Sequence, residues 1–259
     1  MKIDTGQALL YRRDGAIASI VFNRPAAMNA IDEATALRFH AACEAIVADD
    51  RVRVVVLKGA GRAFVAGGDL RMLADAPGQV AERLIDPMHH GLTLLHAHDV
   101  PLIACVQGAA AGAGLSLVLA SDLAVAARGV RLSMAYLRVG ASCDLGASWT
   151  LPRVVGARKA MELALLNPTI DADEALRLGI LNAVVEPDAL EAHVQGLAER
   201  IAQWPQPALG RMTRLLRDAP TRDFEGQLAA ERRAFHDCAS STGFGAYAQA
   251  MLDTSVARG

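Results

Sequence analysis

The chain has 259 residues, with 26 Lys and Arg against 28 Asp and Glu, and this near balance removes nucleic acid and anionic membranes as default partners. Its 53% hydrophobic and 21% charged residues exclude disorder and suffice for one large core or a domain with an appendage. Four cysteines, at 43, 105, 143 and 238, show no CxxC pair and cannot staple so long a chain, which points to a reducing cytoplasm.

The first residues, MKIDTGQALL, carry Asp4 and no uninterrupted apolar run, so neither a signal peptide nor an anchor is expected. β-Branched runs at 16–22 and 52–58 predict strands. Between them Asp32 caps a predicted helix whose apolar stripe, at the 3.6 period, is Leu37, Ala41, Ala45 and Ala48. The apolar run 100–120 is just long enough to span a bilayer. Pro101, Gln107, Gly108, Gly112 and Gly114 interrupt it, however, and Asp122 follows at once. It therefore divides into a strand at 101–106, a Gly/Ala-rich loop and a short helix from about Ala113, with a further strand at 122–126. Residues 156–167 and 171–178 predict helices, the second stopped by Gly179 in a left-handed C-cap, and 180–185 is one more strand. From Pro187 onward strands vanish, and helical segments follow at 189–203, 207–218, 222–238 and 245–253. The expected organisation is an α/β core at 1–186 that carries the site, then a helical region at 187–259 for assembly and site covering.

Two glycine-bearing turns lead from a strand into a helix. In AFVAGGDL, residues 63–70, Gly67 and Gly68 allow a backbone that points N–H groups outward at a helix start, with Asp69 available as a cap. The second turn, Gly108 to Ser116, has the spacing Gly-x-x-x-Gly-x-Gly, shared with the nucleotide loop of short-chain dehydrogenases. That alternative fails on context: the loop does not follow the first strand, and Tyr136 is followed four residues later by Gly140 where that chemistry needs Lys. Two outward amides can instead converge on one oxygen and stabilise charge that develops on a thioester carbonyl.

With those turns, VQGAAAGAGLSLVLASD at 106–122, VGASCDLGASWTLPRVVGARKAMELAL at 139–165 and FNRPAAMNAID at 22–32 make the chain resemble the crotonase superfamily, the enoyl-CoA hydratase/isomerase family. The resemblance runs in order along nearly the whole chain and weakens after about residue 205. It implies a crotonase-type spiral of repeated ββα turns, a C-terminal helical region and a homotrimer or dimer of trimers. It also implies acyl-CoA substrates in fatty acid metabolism, with coenzyme A as part of the substrate and no separate cofactor. The implied oxyanion hole is the N–H of Gly68 and of Ala113. Ala66, Gly67, Asp69, Leu70 and Arg71 would follow the CoA path, Arg71 near a phosphate.

Hydratases of this family resemble one another in using two glutamates, but here those positions fall on Ser116 and Tyr136, neither a competent base near neutral pH. Asp144 stands nearby, at a place that resembles the catalytic Asp of phenylacetate-pathway enoyl-CoA isomerases and the nucleophile of 4-chlorobenzoyl-CoA dehalogenase. Without the family, Asp144 reads as an N-cap of the following helix. With it, Asp144 is expected to shuttle a proton inside an enclosure of Leu145, Trp149 and Tyr136, with Tyr136, Ser116 and His89 as auxiliaries and desolvation raising its pKa. Double-bond isomerisation leads. Hydration is the alternative, and behind it stand a dehalogenase with His89 as base and a catalytically idle acyl-CoA binder. His89, His90, His96 and His98 are not spaced as ligands on one helix face, so no metal is expected.

Overall fold

A computed structural model of the chain describes residues 7–256, so Asp4 and the last residues of the C-terminus lie outside the described part. Residues up to Leu95 together with Pro101–Ala202 form one compact unit, and His96–Val100 with the residues from Gln203 onward form a second.

The first unit opens with a hairpin of β1 (Leu9–Asp14) and β2 (Ile17–Phe22), turned at Gly15 with φ +55°. Helix α1 (Glu33–Val47) follows, capped by the Asp32 carboxylate, which accepts from the Thr35 N–H. Its buried face is Ala36, Phe39, Ala42, Cys43 and Ile46, while the expected stripe is on the solvent side, with Leu37 53% exposed. Alanines occur all round this helix, so the large side chains decide the inner face, and Phe39 stacks on Phe22 at 6.1 Å.

From here the chain winds as a spiral. β3 (Val54–Gly59), β4 (Ala63–Val65) and α2 (Leu70–Asp75) make one turn, which α3 (Asp86–Ala97) continues after a single π-helical turn at Ala81–Ile85. β5 (Leu102–Val106), β6 (Ala109–Ala111) and α4 (Ala113–Leu119) make the next turn. β7 (Leu123–Ala127) and β8 (Arg131–Ser133) begin another, followed by α5 (Ala147–Val155) and α6 (Ala157–Leu165). β9 (Ile170–Asp171), α7 (Ala172–Arg177), β10 (Ala183–Val185) and α8 (Leu190–Ala202) complete the unit.

Each turn gives one strand to each of two sheets, ordered β1-β2-β3-β5-β7-β10 and β4-β6-β8-β9. Strands β3, β5 and β7 are parallel and covered on both faces, which is why they read as unbroken apolar runs. This is the crotonase-type spiral that the resemblance implied. The apolar run at 100–120 divides into β5, β6 and α4, and among the described residues no helix is long and apolar enough to cross a membrane. Gly179 takes φ +78° after α7, as expected of a C-cap.

The second unit contains α9 (Ala208–Asp218), α10 (Phe224–Ala239) and α11 (Phe244–Val256). Asp99 holds it together: it pairs with Arg211 at 3.1 Å and Arg214 at 2.8 Å, and it would meet any Cβ added at Gly210. The first unit runs past the expected boundary at 186 because α8 lies on β3, β5 and β7 and covers them.

Candidate active site

Strands β4 and β6 are parallel neighbours with Val65 opposite Ala110, so the two glycine turns that follow them start side by side. Gly67, at φ +107°, and Gly112, at φ +54°, take backbone conformations that side chains disfavour. The turns also press together: a Cβ on Gly67 would stand 3.3 Å from the Ala111 carbonyl oxygen. Gly114 is fixed more strictly, since a Cβ there would overlap the Val65 carbonyl.

This crowding leaves two amides unspent. The Gly67 carbonyl accepts from Ile31 N–H at 2.8 Å and the Asp69 N–H donates to Ile31 O at 2.9 Å, so alternation turns the Gly68 N–H away from the Ile31 backbone. Ala113 opens α4, where an N–H has no intrahelical partner, while its neighbour Gly112 donates to Ser133 O at 3.1 Å. Neither amide has a hydrogen-bond partner among the described residues, and Gly68 and Ala113 both line one cavity of about 320 Å³.

The brace behind the first turn comes from residues 22–32. Asn29, in the left-handed region at φ +58°, shares its side-chain N–H groups among the carbonyls of Ala60, Ala63 and Phe64 at 2.9, 2.8 and 3.1 Å. Arg24 reaches Asp32 at 3.2 Å and Asp69 at 2.9 Å. Burial alone would raise the Asp69 pKa, but the hydrogen bonds from Arg24 and from the Arg71 N–H hold it below its ordinary value. Asp69 is therefore the N-cap of α2. Of the five residues expected along the CoA path, Ala66, Gly67 and Leu70 line the cavity, while Asp69 turns to Arg24 and Arg71 is exposed outside the lining.

Asp144 and Tyr136 face the same cavity. The Tyr136 hydroxyl donates to Asp144 Oδ1 and lies 2.7 Å from the Oγ of fully buried Ser116. A phenol has one hydrogen, so the chain of donors runs from Ser116 to Tyr136 to Asp144. Burial and the adjacent carboxylate push the Tyr136 phenol far above its ordinary pKa. Burial also raises the Asp144 carboxyl, against the opposing pull of the Tyr136 hydrogen bond.

Asp144 does not cap α5. Gly146, at φ +77°, is the N-cap, with no side-chain hydrogen bond to the helix. Trp149, expected in the enclosure, lies under the Arg153 guanidinium at 4.0 Å and is outside the lining. The apolar wall comes instead from Leu145 and from the stretch that runs from α2 into α3, chiefly Leu73, Val80, Leu84, Ile85 and Met88. His89 is also outside the lining; its Nε2 accepts from the Leu145 N–H at 3.0 Å. His90 packs on His40 at 5.7 Å, and among the described residues no cluster of His, Cys, Asp or Glu could hold a metal ion.

Three linkages had no local signal: Asn29 to the strand carbonyls, Asn167 Oδ1 accepting from Ala135 N–H at 2.9 Å just before Tyr136, and His89 to Leu145. The first two leave one sequence trace, an Asn with turn character, since Asn29 and Asn167 are both left-handed residues, and the third leaves none.

The sequence model of the family described as enoyl-CoA hydratase/isomerase matches residues 12–251. A relative named 1,2-epoxyphenylacetyl-CoA isomerase, from Escherichia coli (strain K12), is 34% identical over 223 residues, 83% of this chain and 84% of that protein. A probable enoyl-CoA hydratase of Rhodobacter capsulatus is 33% identical over 243 residues, 94% of each chain. The solved enoyl-CoA hydratase of Mycobacterium smegmatis has a TM-score of 0.90 and 30% identity, covering 95% of this chain and 96% of that one. Because that family model spans residues 12–251 and the first two relatives are more than 30% identical over most of their length, the chain belongs to the enoyl-CoA hydratase/isomerase family of enzymes.

Proposed function

We propose that the enzyme moves a carbon–carbon double bond within an enoyl-CoA thioester. One observation carries this reading: Asp144 is the carboxylate that shares a cavity with two unspent amides, while the hydratase acid positions hold Ser116 and Tyr136. The thioester oxygen would sit against the Gly68 and Ala113 N–H groups, each of which can lower the barrier by about 3 kcal/mol as charge builds on that oxygen. Asp144 takes a proton from C2 of a 3-enoyl group, and the negative charge spreads through the dienolate to the held oxygen. The same carboxyl returns the proton at C4. Its raised pKa suits a shuttle that must both accept and release a proton.

The E. coli relative is named an isomerase of an epoxide-bearing CoA ester, which supports isomerisation of a CoA thioester as the reaction class. The hydratase names of other relatives favour a second one, water addition with Asp144 or Tyr136 positioning the water. Aryl dehalogenation is disfavoured, since the Nε2 of His89 is engaged by a backbone N–H. Ala66, Gly67 and Leu70 would guide the pantetheine arm, with coenzyme A entering as part of the substrate. The enzyme would work in the cytoplasm as a homotrimer or a dimer of trimers, using its C-terminal helices for assembly.

The test assays wild type and Asp144→Ala for conversion of 3-enoyl-CoA to 2-enoyl-CoA and for hydration of crotonyl-CoA. The expected result is an isomerisation rate reduced about 10²–10⁴-fold in the variant with CoA binding retained. Unchanged turnover would move the chemistry to another residue.

A further inference from the structure

Asp144 has little local support. Residues 140–146 belong to no helix or strand, and Gly140 and Gly146 at the two ends of this stretch are at φ +72° and +77°. A side chain on such a stretch turns about its own bonds unless a group from elsewhere holds it. Apart from the residue's own N–H, the donor to this carboxylate among the described residues is the Tyr136 hydroxyl, on Oδ1. Tyr136 is in turn well anchored. Its N–H donates to Met134 O at 2.7 Å, its carbonyl accepts from Ala141 N–H at 3.1 Å, and its hydroxyl lies 2.7 Å from Ser116 Oγ. Ser116 is on α4 three residues after Ala113 and is 0% exposed. The helix that presents the Ala113 amide therefore also holds the far end of this chain of hydroxyls.

We infer that Ser116 and Tyr136 are positioning residues that fix Oδ1 of Asp144, and so leave Oδ2 as the oxygen that exchanges protons with the substrate. The inference rests on the reading of Asp144 as the base. Without the phenol hydrogen neither oxygen would have a side-chain partner, and the carboxylate would be free to swing away from the carbons it must reach. Misplacement of this kind lowers kcat more than it raises KM. Because Ser116 and Ala113 share α4, the reacting oxygen and the amide that holds the thioester oxygen take their positions from one element. The Ser116 hydroxyl has no better use: its other acceptor is Gly112 O at the start of α4, a long contact of 3.3 Å.

The test compares Tyr136→Phe, Ser116→Ala and the double variant with wild type in isomerisation assays across pH. Tyr136→Phe keeps the ring and removes only the hydroxyl, so kcat should fall about tenfold at unchanged KM. A hydrogen bond to a carboxylate favours its ionised form, and losing it should move the acid limb of kcat/KM to higher pH. The other titratable or charged groups about Asp144 are His89 on α3, the adjacent Cys143 and the exposed Arg138, and the variants leave all three in place. Ser116→Ala should change both quantities in the same direction by less, and it decides alone if Tyr136→Phe does not fold. Since Ser116 acts only through Tyr136, the double variant should match Tyr136→Phe. A Tyr136→Phe enzyme with the wild-type kcat and acid limb, or a double variant whose losses multiply, overturns the inference while Asp144→Ala stays inactive. Isomerisation retained in Asp144→Ala, or absent from wild type, overturns both readings.

Discussion

A carboxyl group that loses solvent on folding holds its proton more tightly in the folded chain than in the unfolded one, and Asp144 is in that position. The sign follows: its favourable contribution is present below the ordinary value of 3.8 and is lost as pH rises through the folded value. At pH 7 the ionised group therefore weakens the fold that holds it. Asp144→Asn should end isomerisation yet unfold at a higher temperature than wild type at pH 7, with the gap closing towards pH 4. A gap that widens in acid would contradict the assignment. Asp144 also depends on its neighbour: Leu145 is a non-glycine residue at φ +49°, and its N–H is held by His89. His89 is itself exposed, so truncating it should leave the core standing. His89→Ala should lower kcat about tenfold at unchanged KM through misplacement of Asp144, while His89→Gln, which still offers an acceptor, should recover most of it. Equal losses in both variants would remove His89 from this role. Asp144 and the glycine turns were legible because each lies in a contiguous motif. The His89 bond joins residues 56 apart, and no local pattern encodes such a pairing.

Among the elements, the legible ones are those whose periodicity is written over several residues. Strands β3, β5 and β7 declare themselves as apolar runs, and α1 by its Asp32 cap. Strands β4, β6 and β8 have three residues each, too few for any alternation, so Ala109–Ala111 reads as loop in the sequence and becomes strand only by pairing. The inner face of α1 was misplaced because its alanines fit either side, whereas Phe39 and Ile46 fit only one. At Gly114 two effects compete. Alanine would favour the isolated helix by about 1 kcal/mol. Its Cβ would overlap the Val65 carbonyl, and relieving that overlap moves α4 away from β4, at a cost of about 1–3 kcal/mol. Gly114→Ala should therefore lower thermal stability, and should lower kcat further than the stability loss accounts for, because the Ala113 amide moves with the helix. A variant that melts higher and turns over normally would show that the close approach is not required.

For the molecule as a whole, the alternation of strand and helix made an α/β core legible and the family resemblance implied the spiral, while the boundary was not legible. Strands do end at Val185, but the sheet they form still needs a cover, and α8 supplies it, so the first compact unit closes only at Ala202. The helices beyond show a different feature. Met212 and Leu216 on α9, Phe224 and Leu228 on α10, and Met251 and Leu252 on α11 are all exposed. Around the end of α6 the same holds for Met161, Leu165 and Leu166. Isolated apolar side chains on a surface are ordinary, but groups of this size on successive helices are what the proposed assembly would cover. With a net charge of only −2, little electrostatic repulsion opposes association of identical chains. The proposed trimer accounts for such a cover. Light scattering on the purified enzyme should give the mass of three or six chains, and Leu216→Glu combined with Leu228→Glu should shift it to one chain, since each variant chain would bring uncompensated carboxylates into the contact. A wild-type mass of a single chain would leave these apolar side chains facing water and would end the assembly proposal.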